Sequence, residues 1–412
     1  MEKIAVTGIG VVSALGIGQK KFRENCRRAF SGISKIELFD TKGFRSNVAG
    51  WVADFNPKQF MPPSVYRRMS RISAMAVVAS IEAIADSGLA LDKMDRDRCA
   101  VVMGTADGPS SQVNSFFSSL LENGPRGSQP LFFPETVPNA PASHIGMFHG
   151  ITGPNTTFCQ NMISAEQAIC YGRDMILMGQ ADMAVVGGAD ELSAAQFACY
   201  DAIGALSRVR VNGRRPDPLS FGGGMVLGEG AGVLVLERLD AALSRGAKIY
   251  GLLLAAVVTG GRADMGHYEA SGEQLARAMT TALSEAGLSP EDISQLNVSA
   301  NYTQELGRME SEQIEALFAP SHGAPQVFAL KYLMGDFGGA GAIRAAASLI
   351  SLYRQASLPL ISAAALLADN GYRPAWSVPE AQEIHAALMT SATFGGAGSC
   401  LIFSRQKRDL LS

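Results

Sequence analysis

The sequence predicts an α/β protein made of two related halves that pack as one unit. Strand-like apolar runs alternate with helical stretches, as in "KIAVTGIGVV" followed by "MSRISAMAVVASIEAIADSGL", and this alternation is typical of sheets covered by helices. Of the 412 residues, 47% are hydrophobic, so the chain can bury a large core. The second part of the chain also repeats the first in outline, which indicates an internal duplication.

The repeat is visible element by element. A helix end closed by Gly88, an acidic loop and a strand (84–105) recur around Gly287 (283–301). The first strand has a counterpart beginning at Lys248, and "GEGAGVLVLER" is echoed by "FGGAGSCLIFSR" near the C-terminus. We therefore expect one half at residues 1–250 and the other at 251–412. No low-complexity linker separates them, so a shared core is expected.

One segment interrupts this pattern. Residues 106–145 are rich in Ser, Pro, Asn and Phe and show no clean period, which predicts a cap or a dimer-forming insertion.

Composition excludes several function classes. The 35 basic and 38 acidic residues are scattered, so no basic face indicates nucleic acid. No apolar run is long enough to cross a bilayer, and the N-terminus resembles a buried strand more than a signal peptide. The six cysteines form no CxxC pair, which favours reduced thiols in the cytoplasm and predicts no metal site.

The stretch "FCQNMISAEQAIC" (158–170) predicts a strand end, a sharp turn and a helix start. We expect the strand to run to about Gln160, and Ser164 with Gln167 to form a capping box. A thiol at this turn would have a lowered pKa and backbone N–H groups beside it for an oxyanion. Met162 occupies the turn, and a thioether is no nucleophile.

At these residues the chain resembles the β-ketoacyl synthases of fatty-acid and polyketide biosynthesis. The resemblance runs the whole length, through "VTGIGVVSALG", "GPNTTFCQNMISAEQAI", "ADMAVVGGADELS" and "SATFGGAGSCLIF". It implies a thiolase-like fold with a layered αβαβα core.

In a condensing member of this family, a Cys at the turn accepts the acyl chain, and two His residues assist decarboxylation and stabilise the thioester oxyanion. The matching positions here hold Met162, Ser299 and Asp336. Lys331 and Glu310 fall on the family's Lys and Glu. The resemblance therefore implies that this chain does not condense acyl groups alone, because all three catalytic groups are replaced.

No neighbouring residue is expected to substitute. Cys159 lies before the turn, Cys170 lies about two helical turns beyond it, and Ser164 has no His nearby to act as its base. The five histidines fall outside the matched motifs, and we expect packing, interface or surface roles for them: His144, His149, His267, His322 and His385.

A subunit of this kind exists in the family: the chain-length factor, or ketosynthase β subunit, of bacterial type II polyketide synthases. It pairs with a catalytic ketosynthase α subunit and shapes the tunnel that holds the growing chain. Chain-length factors of aromatic pathways typically carry Gln where this chain has Met162, which points to a divergent branch, such as systems that make polyenes or unusual aromatics. The expected pocket and gate residues are Met162, Phe394, Gly395 and Gly396. Phe116 and Phe117 are expected either in this pocket or in ordinary core packing.

The resemblance also implies the partners: a ketosynthase α subunit and an acyl carrier protein whose phosphopantetheine delivers the acyl chain, with no further cofactor. Two alternatives stay open. A decarboxylase or acyltransferase for starter units would predict at least one retained His. A homodimeric acyl-binding pseudo-enzyme would meet an acidic carrier through Arg67, Arg68 and Arg71 or through the arginines between 208 and 215, for which solvation is the simpler expectation.

Overall fold

The computed structural model describes residues 2–128, 130–213, 223–264, 266–319, 325–356, 358, 360–361, 376–377 and 383–406. His322, Arg214 and Arg215, named above from the sequence, lie outside these residues.

One large mixed sheet forms the centre of the molecule, in the order β11-β10-β14-β15-β9-β1-β8-β7-β5-β6, with β2 paired to β1. The strands are β1 (Ile4–Ser13), β2 (Gly16–Ile17), β3 (Ser34–Lys35), β4 (Val48–Ala49), β5 (Cys99–Gly104), β6 (Asn155–Phe158), β7 (Met183–Asp190), β8 (Gly230–Arg238), β9 (Gly251–Thr259), β10 (Gln295–Asn297), β11 (Gln326–Phe328), β12 (Leu360–Ile361), β13 (Trp376–Ser377), β14 (Ala386–Ala392) and β15 (Gly398–Ser404).

The sheet consists of two runs with the same internal order. The run β6-β5-β7-β8-β1 corresponds strand by strand to β11-β10-β14-β15-β9, including which neighbours are parallel and which are antiparallel. The two runs meet where Ile4–Val6 pairs with Gly251–Leu253. This duplication confirms the two related halves, whereas their exact boundary near residue 250 stays a prediction.

Helices cover both runs. They are α1 (Gln19–Arg27), α2 (Pro63–Tyr66), α3 (Arg71–Ser87), α4 (Ser110–Asn123), α5 (Ala140–His149), α6 (Ser164–Leu177), α7 (Ala194–Ala202), α8 (Leu239–Ser244), α9 (Glu273–Ala286), α10 (Gln304–Phe318), α11 (Lys331–Met334) and α12 (Ala340–Arg354). The predicted helix ends at Gly88 and Gly287 are confirmed, since both glycines close their helices in the left-handed conformation.

The central layer of helices explains the shared core. Helices α6 and α12 contact each other, and each touches strands of both runs. Helix α3 packs on the other side of β1, β8 and β7, and α9 packs on the other side of β9, β15 and β14. The result is the thiolase-like αβαβα layering that the sequence predicts. Among the described residues, no helix is both long and apolar enough to span a membrane.

The segment at 106–145 folds around α4 and a series of 3₁₀ turns that lead into α5. Buried carboxylates fasten both ends of it: Glu191 accepts from the Ser111 N–H at 2.7 Å, and Glu135 accepts from the Ser70 N–H at 2.8 Å. Between these anchors the side chains of Phe117 and Leu121 are 52% and 84% exposed. The core-packing expectation for Phe117 is therefore wrong.

Candidate functional site

The turn around Met162 is sharper than a plain strand–helix connection. Strand β6 ends at Phe158, a 3₁₀ turn covers Asn161–Ile163, and α6 begins at Ser164. Asn161 has φ +50°, a left-handed conformation that Asn adopts more readily than most residues. The strand is thus two residues shorter than predicted.

The predicted capping box is wrong. Ser164 is the first residue of the helix, so its hydroxyl cannot cap the helix from the preceding position. Instead, its Oγ accepts from the Gln160 N–H at 2.8 Å and lies 2.7 Å from the carbonyl oxygen of Asn161. The hydroxyl therefore closes the turn and is not poised for nucleophilic attack.

Met162 is completely buried in an apolar cluster. The same cluster contains Trp51, Phe197 and Leu227, and Phe394 packs against it. The Met162 N–H is one of the backbone groups expected to bind an oxyanion at this turn. It donates instead to Thr393 Oγ1 at 3.3 Å. The nucleophile position and its adjacent amide are both occupied by internal contacts.

Ser299 and Asp336 lie on either side of Lys331. The Lys331 Nζ is 2.9 Å from Asp336 Oδ1 and donates to Ser299 Oγ at 3.3 Å. The side chains of Lys331 and Asp336 are both fully buried. At the two positions where the family has histidines, this structure has the Ser299 hydroxyl and the Asp336 carboxylate, which forms a buried ion pair with Lys331.

The ends of β10 and β14 bring these residues together. Glu310 on α10 accepts from the Ser299 N–H at 2.7 Å and from Thr390 Oγ1 at 2.6 Å. Ser299 Oγ in turn accepts from the Ala392 N–H at 3.2 Å, one residue before Thr393. Burial, opposed by these hydrogen bonds, raises the pKa of Glu310. Met162 and Ser299 therefore both contact residues 392–393, and Asp336 is connected to Ser299 through Lys331.

Phe394 lies in a short loop, residues 393–397, called here the Phe394 loop. Its glycines are required by backbone geometry: Gly395 and Gly396 have φ of +84° and +92°, and a Cβ on Gly396 would lie 2.7 Å from the Arg262 nitrogen. The Phe394 ring is half-buried and lies 4.8 Å from the Tyr268 ring centroid. The Phe116 ring packs with Phe117 and Phe133 in the 106–145 segment and is not part of the Met162 cluster.

The other candidate nucleophiles are poorly placed. Cys159 is exposed, and its pKa is raised by desolvation of the thiol and then by Asp190 and Asp107. Burial raises the pKa of Cys170 to about 12, and its thiol donates to the Ala256 carbonyl at 3.1 Å. Neither is a ready thiolate. In the described part of the chain, no cluster of three His, Cys, Asp or Glu is arranged to hold a metal ion.

The described histidines occupy none of the three degenerate positions. His144 contacts Glu135, and His149 lies 2.9 Å from Ser80 Oγ with its pKa lowered by burial to about 4. The side chains of His267 and His385 are mostly exposed.

The structure alters the expectation for Arg71 but not for its neighbours. Arg71 forms a two-pronged ion pair with buried Glu229, at 2.9 and 2.5 Å, and so is not free to meet a carrier protein. Arg67, Arg68 and Arg208 are exposed.

Sequence reasoning missed two residues that connect the site. Asn301 donates to Asp336 Oδ2 at 2.7 Å and to the Tyr268 hydroxyl at 3.1 Å, and all three are buried. Burial and then the charge of Asp336 raise the pKa of Tyr268. The only available signal was that Asn301 lies two residues after Ser299, the position that matches the family's first histidine.

Family models match both halves of the chain. "Beta-ketoacyl synthase, N-terminal domain" covers residues 1–242, and "Beta-ketoacyl synthase, C-terminal domain" covers residues 250–364. The chain therefore belongs to the β-ketoacyl synthase family.

Individual relatives include catalytic and paired systems. The chain is 30% identical over 412 residues to the 3-oxoacyl-[acyl-carrier-protein] synthase 2 of Vibrio cholerae, covering 98% of this chain and 99% of the relative. A chain of the ishigamide ketosynthase/chain length factor matches with TM-score 0.84 and 27% identity over 98% of this chain and 100% of the other. A Burkholderia phymatum β-ketoacyl synthase matches with TM-score 0.86 and 27% identity, over 99% and 100%.

Proposed function

We propose that this chain is a non-catalytic, chain-length-factor-like subunit that pairs with a catalytic ketosynthase and shapes the tunnel in which a polyketide chain grows. The observation that carries this proposal is the joint replacement at Met162, Ser299 and Asp336 on an otherwise intact scaffold. Each replacement is buried and engaged in internal contacts.

The chemistry of these residues supports a shaping role. Condensation needs a nucleophile that forms a thioester, and Met162 cannot form one. It also needs groups that supply protons or stabilise an oxyanion, each worth about 10²- to 10³-fold. Asp336 is an anion paired with Lys331, which is the wrong charge for stabilising a developing oxyanion.

The surface supports a partner subunit. Strand β6 lies at the end of the sheet, and among the described residues only β5 pairs with it, which leaves its other edge for a further strand. The 106–145 segment also exposes Phe117, Leu121 and Phe133. Exposed apolar clusters of this kind mark interaction sites in soluble proteins.

In this proposal the acyl chain arrives on the phosphopantetheine of a carrier protein and is bound covalently only by the partner. Met162 and Phe394 contribute apolar surface, and the soft thioether of Met162 adapts to its neighbours. No cofactor of the chain's own is required.

Co-expression with a catalytic ketosynthase tests the proposal. We expect a one-to-one complex that condenses acyl groups. Mutation of the ketosynthase's own nucleophile should abolish the product, and omission of this chain should leave the ketosynthase without its stable pair. A catalytically dead partner that still pairs serves as the control for assembly. Release of carbon dioxide by this chain alone would favour the decarboxylase alternative, and a homodimer that retains acyl ligand would favour the binding-module alternative.

A further inference from the structure

The Phe394 loop is tied to the degenerate site at its first end through Ser299. The Ala392 N–H, directly before the loop, donates to Ser299 Oγ at 3.2 Å, and the same oxygen accepts from Lys331 at 3.3 Å. Lys331 is in turn paired with Asp336. A change in this ion pair therefore reaches the loop through a single hydroxyl.

The middle of the loop is tied to the segment around Tyr268. The Gly395 N–H donates to the His267 carbonyl at 3.1 Å, and the Ala263 N–H donates to the Gly395 carbonyl at 3.1 Å. The Phe394 ring lies against Tyr268, with a centroid separation of 4.8 Å. Two backbone hydrogen bonds and a ring contact therefore attach the loop to this segment.

Asn301 joins the two attachments. Its side-chain amide has two N–H bonds, and they point to Asp336 Oδ2 at 2.7 Å and to the Tyr268 hydroxyl at 3.1 Å. Its oxygen accepts from the Thr303 N–H at 3.1 Å, which fixes the orientation of the amide. The hydrogen-bonding capacity of a buried Asn is thus committed to connecting the site with the segment that holds Phe394.

The backbone beside Asn301 is held in a strained conformation. Tyr302 has φ +75°, a left-handed value that is unfavourable for a bulky side chain. Its hydroxyl donates to the Tyr332 carbonyl at 2.9 Å, and the two rings are 4.3 Å apart. The surrounding contacts therefore hold Asn301 at one fixed position relative to the Lys331 helix α11.

We infer that Asn301 is a positioning residue which, through Asp336 and Tyr268, holds the Phe394 loop closed over Met162. Ser299 fastens the start of the same loop. The residues at the lost histidine positions thus form a latch, defined as Ser299, Asn301, Lys331, Asp336 and Tyr268. One consequence rests on the proposed function: this subunit's own pocket stays shut, so the growing polyketide chain is held outside it.

A reporter thiol tests the latch in the full chain. Met162→Cys places a thiol beneath the loop, and peptide mass spectrometry separates its alkylation by iodoacetamide from that of Cys159 and Cys199. In this background Asn301→Ala removes three hydrogen bonds, two of them to the latch residues Asp336 and Tyr268, and we expect the thiol at 162 to react about tenfold faster. Tyr268→Phe removes one and keeps the ring against Phe394, and we expect an increase of about threefold.

A matched control separates the latch from general loss of stability. Asn25, in α1, is also buried, and its side chain donates at 2.7 Å to the Leu15 carbonyl, which belongs to neither the latch nor the Phe394 loop. Asn25→Ala is expected to leave the reaction at residue 162 unchanged. Hydrogen exchange gives a second readout without the reporter: the Gly395 amide should exchange faster in Tyr268→Phe, while the amides of α3 stay protected.

Equal alkylation rates in the parent, Asn301→Ala and Tyr268→Phe backgrounds would overturn the inference, as would rapid exchange at Gly395 in the unmodified chain. Because both readouts need only this chain, they are independent of whether it pairs with a ketosynthase. If the latch variants behave as expected but the chain pairs with no ketosynthase, the proposed function is refuted and the latch is not.

Discussion

Separating Lys331 from Asp336 should destabilise the protein strongly. Their charged atoms are 2.9 Å apart and both side chains are fully buried, so removal of either one leaves an uncompensated charge away from water. Such losses cost about 3–5 kcal/mol of unfolding free energy. In Asp336→Leu the Asn301 amide also loses its acceptor, which adds about 1 kcal/mol.

The comparison with a double variant isolates the charge effect. Replacing both residues, as Lys331→Met with Asp336→Leu, removes the two charges together, and apolar replacements of buried pairs are often neutral or stabilising. We therefore expect the double variant to be more stable than either single variant. A surface control is Arg238→Gln, which breaks the exposed pair with Glu2 at 2.6 Å and should cost little stability, because water and salt screen an exposed ion pair.

Urea unfolding followed by circular dichroism measures the parent and all four variants. The reasoning would be refuted if Lys331→Met and Asp336→Leu each lost no more stability than Arg238→Gln, or if the double variant lost the sum of the two single losses.

Three further predictions concern chemistry, pH and assembly. Met162→Cys alone should form no carbon–carbon bond, whereas adding Ser299→His and Asp336→His should give detectable condensation by product mass spectrometry; equal yields from the single and triple variants would contradict this. Burial alone would raise the pKa of Glu135, but its contacts with His144 and Ser70 outweigh burial, so the pKa is lowered. The contribution of Glu135 to stability is therefore present above its ordinary pKa and is lost as the pH falls through the lowered value. The melting-temperature difference between the parent and Glu135→Gln should accordingly be present at neutral pH and shrink in acid, and a difference that grows in acid would reverse the sign of the argument. Phe117→Ser should leave the melting temperature nearly unchanged because the ring is 52% exposed, yet weaken pairing with a ketosynthase in size-exclusion chromatography; unchanged pairing would remove this ring from the interface.

The fold could be predicted because its signals are local and repeated. Apolar strands such as β1 and β9, and glycines such as Gly88 and Gly287 at helix ends, depend on backbone preferences within a few residues. The duplicated order of these elements then implied the two related halves.

The site could be predicted only in part. The turn that presents Met162 is a local feature, and its position followed from the sequence. The role of Ser164 did not, because the hydroxyl bonds across the turn to Gln160 and not into the helix. The three-residue spacing of Ser164 and Gln167 is equally compatible with a capping box and with a hydroxyl that bonds across the turn.

The latch was invisible in the sequence because its contacts join distant segments. Asn301 meets Asp336 and Tyr268 only after strands and helices of the second half have packed. The same holds for Arg71, whose partner Glu229 lies 158 positions away. Long-range pairing of polar side chains carries no periodic signal, so an exposed basic cluster and a buried ion pair look alike before folding.

The most direct test of the central claim is intact-protein mass spectrometry of this chain and a co-purified catalytic ketosynthase after exposure to an acyl-loaded carrier protein. The account predicts that the acyl mass appears on the ketosynthase alone while this chain keeps its unmodified mass. A stable acyl adduct on this chain, with Met162 in place, would contradict the account and show that a different residue carries the acyl group.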